Sequence, residues 1–121
     1  MGDMSTLTDL AAMIPDAVVR LQGIVRRTPV QLDERLTDAT GSEIWLKRED
    51  LQPVRSYKLR GAYNLMAQLD EAEREAGVVC ASAGNHGQGV AYSAAALGIK
   101  ATVVVPHTTP RQKRQRIVAL G

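Results

Sequence analysis

The sequence predicts an α/β protein built on an open parallel sheet with helices on both faces. Three observations carry that prediction. From Val78 to Leu120 the chain alternates strand, helix, strand, helix at short spacing, and parallel strands need such helical crossovers. The run VVCAS (78 to 82) ends in a cluster of glycines, Gly84, Gly87 and Gly89, where open sheets of this kind bind ligands. The 121 residues are 45% hydrophobic and 23% charged, an ordinary globular balance. Phe is absent and Trp occurs once, so the core is expected from Val, Ile, Leu, Ala and Met.

In order along the chain, Thr8 is placed to cap a short helix through Met13, and Pro15 suits the first turn of a second, roughly Asp16 to Gln22. TPVQL (28 to 32) reads as extended, because Thr28 precedes a proline. ATGSE is turn chemistry, and EIWLK (43 to 47) alternates as a strand does. Leu59, Ala62, Leu65, Met66 and Leu69 mark one face of a helix over Lys58 to Leu69, which runs into the exposed DEAERE. VVCAS is a strand, and Gly87 to Leu97 an Ala-rich helix stopped by Gly98. ATVVV (101 to 105) is the next strand, and Pro110 opens a helix that reaches Leu120.

Charge divides the chain. All 13 acidic residues lie at or before Glu75, while Lys100, Arg111, Lys113, Arg114 and Arg116 follow without an acid. A basic second half favours anionic ligands, although Arg111 to Arg116 also fits a solvated helix face. Cys80 is single, which excludes an internal disulfide, fits a reducing compartment and marks a small buried hydrophobe. No window reaches the ~18 apolar residues of a membrane span, and no signal-peptide pattern is present. MGDMST matches a loose myristoylation pattern; an acid at position 3 and the lack of an adjoining basic patch count against it.

The glycine cluster raises the first functional question. Gly84, Gly87 and Gly89 free the backbone to approach a ligand, and the following helix offers unpaired N–H groups and the positive end of its dipole. Asn85 adds one donor and one acceptor, so the turn makes an anion cradle with a directional side chain. A dinucleotide fingerprint fails, for Gly87-Gln-Gly89 lacks its third glycine and no acid follows Glu75. A P-loop fails for want of a GK[ST] ending. A structural role, glycines permitting tight strand-to-helix packing, stands beside the cradle.

Upstream, Lys58 opens a helix behind Ser56 and Tyr57 and ahead of Arg60-Gly61-Ala62. A lysine there opposes the helix dipole, and a lone lysine is ordinarily a solvated charge. The small flanking residues Gly61 and Ala62 leave room for something flat. Lowering a lysine from ~10.4 to ~7.5 costs roughly 4 kcal/mol, met by burial or by a covalent imine. Imine formation suits such a lysine beside an anion cradle.

KREDLQPVRSYKLRGAYN together with SAGNHGQGVA resembles the fold-type II pyridoxal-phosphate (PLP) enzymes, and within them the threonine dehydratases (threonine ammonia-lyases). The resemblance runs from about Arg27 (RRTPV) through PRQKRQRI. It implies that Lys58 binds PLP as a Schiff base, that Tyr57 lies next to the cofactor, and that Asn85 hydrogen-bonds the ring hydroxyl. It also implies that Ser82, Ala83, Gly84, Asn85 and His86 hold the substrate carboxylate. The implied chemistry is β-elimination of L-threonine to 2-oxobutanoate and ammonia, with L-serine to pyruvate beside it, in isoleucine biosynthesis or threonine catabolism. Racemases resembling this family carry a serine directly before Gly-Asn-His; here the residue is Ala83.

Members of the family are several hundred residues long. Residues 1–121 are therefore expected to be the N-terminal portion of one catalytic domain, inactive alone, with 1–53 in its larger subdomain and 54–121 in its smaller α/β subdomain. An amino-acid substrate, a cytoplasmic homo-oligomer, no metal, no nucleic acid and no membrane complete the expectation. Serine dehydratase, serine racemase and threonine synthase are the enzymatic alternatives. A non-catalytic α/β module binding an anion or a partner is the other.

Overall fold

The computed structural model describes residues 7–121, so the MGDMST pattern lies outside the described residues. Two short helices come first, α1 (Leu7–Ala12) and α2 (Ile14–Arg20). Pro15 occupies the first turn of α2, where its missing N–H costs nothing. Thr8 lies within α1 and not ahead of it, so it is not the predicted cap.

TPVQL and EIWLK supply β1 (Val30–Leu32) and β2 (Trp45–Lys47), which pair antiparallel with Leu32 opposite Trp45. Between them lies a helix that no apolar spacing announces, α3 (Glu34–Thr40), with no buried residue. Its ends explain it: the Leu36 N–H donates to Asp33 Oδ1 at 2.9 Å, and Gly41 closes it at φ 69°. A 3-10 turn at Glu49–Leu51 leads to α4 (Lys58–Met66). DEAERE is exposed as expected but is also helical, α5 (Glu71–Ala76). The Glu73 N–H donates to Asp70 Oδ1 at 2.8 Å, and the Asp70 N–H donates to Glu73 Oε2 at 2.9 Å. This reciprocal cap satisfies two otherwise orphaned donors.

The predicted alternation follows as β3 (Val78–Ala81), α6 (Asn85–Leu97), β4 (Ala101–Val104) and α7 (Arg111–Leu120). β3 and β4 are parallel, with Val78 opposite Ala101 and Ala81 opposite Val104. Gly98 ends α6 at φ 67°. Ala62 and Met66 of α4 meet Val90 and Ala94 of α6 and Ile99 in the core, with Cys80 partly buried against it. Full burial of a Met, Val or Ile side chain contributes about 1.5–3 kcal/mol. Ala62 is part of that core and also lines a cavity beside it.

Side chains of the sheet alternate. Val78 and Cys80 turn toward the core, whereas Val79 and Val104 on the other face are 74% and 53% exposed. No helix of the described residues covers that second face. Among the described residues no helix is long and apolar enough to cross a membrane. Nor, among them, does any group of three or more His, Cys, Asp or Glu gather to hold a metal ion.

Candidate functional site

The site is built where α4 and α6 begin. Ahead of α4, Arg55 takes the left-handed conformation at φ 56°, uncommon for a residue with a side chain. That bend turns the chain out of the 3-10 segment, and the Arg55 N–H donates to the Gln52 carbonyl at 2.8 Å. Ser56 is buried, and its Oγ accepts the Lys58 N–H at 3.1 Å, so the helix starts at Lys58 without an ordinary N-cap. The Lys58 amine lies 4.9 Å from the centroid of the Tyr57 ring. Such a cation–π contact at an exposed position contributes about 0.5–1 kcal/mol. Lys58 is exposed, so the desolvation expected for a nucleophilic amine is not supplied by the described residues.

The second start is the turn after β3. The Ser82 N–H donates to the Val104 carbonyl at 3.0 Å, extending the sheet by one residue. Its hydroxyl folds back and accepts the Gly84 N–H at 3.2 Å. Asn85 and His86 then open α6 as exposed residues, at the positive end of its dipole. Of the three glycines, Gly87 is required here and Gly89 sits in tight contact. A Cβ on Gly87 would stand 2.4 Å from the Ser82 carbonyl oxygen and 3.1 Å from Val103 Cγ1. A Cβ on Gly89 would stand 3.2 Å from both the carbonyl carbon and oxygen of Lys58. Gly84, by contrast, has open space around it.

Gly89 thus joins the two sequence motifs: α6 rests directly on the backbone of Lys58. Asn85 precedes Gly89 by one helical turn, about 6 Å along the axis. Residues of the loop line two cavities. Ser82 and Ala83 line a cleft of about 460 Å³ with Val104, Val105 and Pro106. His86 lines a separate cavity of about 180 Å³ against Leu65, Val79, Cys80 and Val90. In the first turn of α6, buried Gln88 keeps Oε1 without a hydrogen-bond partner among the described residues. Burial pushes the Cys80 thiol pKa up.

A polar clamp beneath Lys58 was not visible to sequence reading. Arg60 Nε donates to Glu49 Oε2 at 2.8 Å and Nη2 to Oε1 at 2.9 Å. The Thr28 hydroxyl donates to Glu49 Oε1 at 2.6 Å. Buried Gln52 bridges Arg26 from both sides, accepting its N–H at 2.9 Å and donating to its carbonyl at 2.8 Å. The Arg60 hydrogen bonds hold the Glu49 carboxyl at about 2, well below its ordinary 4.5. The only available signal was a pair of opposite charges near the two ends of REDLQPVRSYKLR, and sequence distance gives no reason to pair them.

The chain can be set beside known proteins. The model for the family described as "Pyridoxal-phosphate dependent enzyme" matches residues 21–121. The biosynthetic L-threonine dehydratase IlvA of Mycobacterium leprae is 57% identical over 107 residues, covering 88% of this chain and 25% of that protein. Its counterpart in Corynebacterium glutamicum is 54% identical over 111 residues, covering 92% of this chain and 26% of that protein. The chain spans about a quarter of the length of these curated relatives. Among solved structures, the processed form of threonine deaminase isoform 2 from Solanum lycopersicum superposes with a TM-score of 0.84 at 41% identity, over 99% of this chain and 32% of that one. Serine racemase from Dictyostelium discoideum does so with a TM-score of 0.83 at 37% identity, over 91% of this chain and 36% of that one. With a family model running unbroken from the end of α2 to Gly121, across both motifs and the glycine that joins them, the chain belongs to the pyridoxal-phosphate dependent enzymes.

Proposed function

We propose that this chain carries the lysine-bearing part of a β-elimination site that converts L-threonine to 2-oxobutanoate and ammonia, and L-serine to pyruvate, in isoleucine biosynthesis. The seating of Gly89 on the Lys58 backbone is the observation that carries the reading, because it makes one site of two separate motifs. The residues present fit pyridoxal phosphate. An exposed primary amine lies against an aromatic ring, α6 begins with a directional amide at its positive end, and Gln88 Oε1 wants a donor. The same reading puts the enzyme in the cytoplasm as a homo-oligomer acting on a free amino acid. It assigns 1–53 to a larger subdomain and 54–121 to a smaller one.

Bound PLP supplies an electron sink for negative charge developing at the substrate α-carbon. Lys58 Nζ would hold the cofactor and, when free of it, would take the α-proton as general base, a role worth about 10²–10⁴-fold. Asn85 orients the ring through its side-chain amide, and Tyr57 lies beside it. The N–H groups from Ser82 to His86 grip the substrate carboxylate, aided by the α6 dipole. The substrate β-hydroxyl leaves with a proton as water, and the released enamine hydrolyses to the 2-oxo acid and ammonia.

The test is to add PLP to the complete enzyme, follow visible absorbance, reduce with borohydride and map the pyridoxyl group. Label concentrated on Lys58 is expected. Label on Lys47 or Lys100 instead would sink the assignment and favour a non-catalytic module.

A further inference from the structure

We propose that Glu49 is a positioning residue for the Lys58 amine, acting through Arg60. The inference rests on the reading that Lys58 holds the cofactor. The first turn of α4 has limited local support: the Ser56 hydroxyl accepts the Lys58 N–H, but the cap position, Tyr57, gives no side-chain hydrogen bond, and Lys58 itself opposes the dipole. The turn is instead gripped from two sides. On one, Gly89 abuts the Lys58 carbonyl and the Leu59 nitrogen. On the other, the Arg60 guanidinium meets Glu49 in a two-pronged ion pair, Nε to Oε2 and Nη2 to Oε1.

Glu49 is itself fixed from elsewhere in the chain. Thr28 donates to Oε1 at 2.6 Å, and Gln52 reaches both carboxylate oxygens at 3.3 and 3.5 Å. Thr28 and Gln52 are 4% and 2% exposed, so this footing is rigid where Lys58 is free. A bidentate guanidinium–carboxylate pair fixes orientation as well as distance. Rotating or unwinding the first turn of α4 would carry Arg60 off Glu49, so the pair sets the direction in which Lys58 leaves the helix.

Glu49→Gln keeps the shape and removes the charge; Glu49→Asp keeps the charge and shortens the reach. Ile99→Val serves as a control that loosens the core without touching the clamp. Amide exchange at Arg60, Gly61 and Ala62 should speed about tenfold in Glu49→Gln relative to amides of α6. It should be partly restored in Glu49→Asp and change evenly across helices in Ile99→Val. In parallel, borohydride trapping with PLP should show the Lys58 share of label falling several-fold in Glu49→Gln but not in Ile99→Val. Unchanged or evenly raised exchange in Glu49→Gln overturns the proposal, as does an unchanged Lys58 share where the wild type favours Lys58. If the wild type labels Lys58 no more than Lys100, the cofactor reading has failed, and the exchange measurement alone decides whether Glu49 holds the turn.

Discussion

Replacing Gly87 by alanine should destabilise the protein, although the same change raises intrinsic helix propensity. In a helix interior Gly→Ala is worth about 0.5–1 kcal/mol in favour of alanine. Gly87 lies in the first turn of α6, and its new methyl would stand 2.4 Å from the Ser82 carbonyl oxygen, well inside contact distance. The obstacle is backbone pinned by the Ser82–Val104 hydrogen bond, so it cannot swing aside as a flexible side chain does. Overpacking of this kind costs about 1–3 kcal/mol, which leaves a net loss of about 0–2.5 kcal/mol after the propensity gain, toward the upper end because the obstacle is main chain. Gly61→Ala supplies the opposite case, since Gly61 is inside α4 with nothing within 4 Å of its Cβ position. That variant should gain about 0.5–1 kcal/mol. Urea unfolding followed by circular dichroism reads both, with midpoints moving in opposite directions at constant slope. A Gly87→Ala midpoint equal to or above that of Gly61→Ala would refute the steric argument.

Four further outcomes are expected. In the complete enzyme, Asn85→Ala should leave the fold intact while altering the absorbance of bound PLP and weakening turnover, so unchanged spectra and rates would return Asn85 to a purely structural role. Because Glu49 titrates at about 2 in the fold against an ordinary 4.5, its contribution is complete above about pH 4.5 and is lost as pH falls toward 2. The gap in urea midpoint between wild type and Glu49→Gln should shrink over that window, and a constant gap would contradict it. In the complete enzyme, Ala83→Ser should raise racemisation of L-serine relative to pyruvate formation, because Ala83 has no proton to exchange and the Ser82 hydroxyl is engaged by Gly84; comparable D-serine from the complete enzyme without the substitution would overturn this. With Val79 and Val104 bare, the protein should self-associate with rising concentration, and a clean monomer at all concentrations by sedimentation would count against it.

Legibility in the sequence followed the physics of each element. β3, α6, β4 and α7 were readable because apolar periodicity and glycine or proline stops mark them together. α3 and α5 were not, since neither buries a residue and only their caps betray them. Asp70-Glu-Ala-Glu73 was a readable capping box that the weight of charge concealed. At the site, Lys58 and Asn85 stood out by chemistry and resemblance, yet nothing in the sequence brought them to one place. That link is Gly89, and it requires knowing how two helices cross. The Glu49–Arg60 pair was hidden for the same reason, because partner choice among many charges is decided by the fold.

The seat of Gly89 also acts as a ruler. The spacing between the Lys58 backbone and the start of α6 is set by main-chain atoms in contact and by the pitch of a helix, not by rotamers. Side-chain motion at Tyr57, Lys58 or Asn85 therefore leaves that spacing unchanged, and only sliding of one helix along the other can alter it. Such sliding must carry Leu59, which is fully buried, through a close-packed interior. The amine can thus swing freely while its anchor point stays calibrated against α6, the combination that the role proposed for Lys58, releasing one partner and then taking a proton from another, would require.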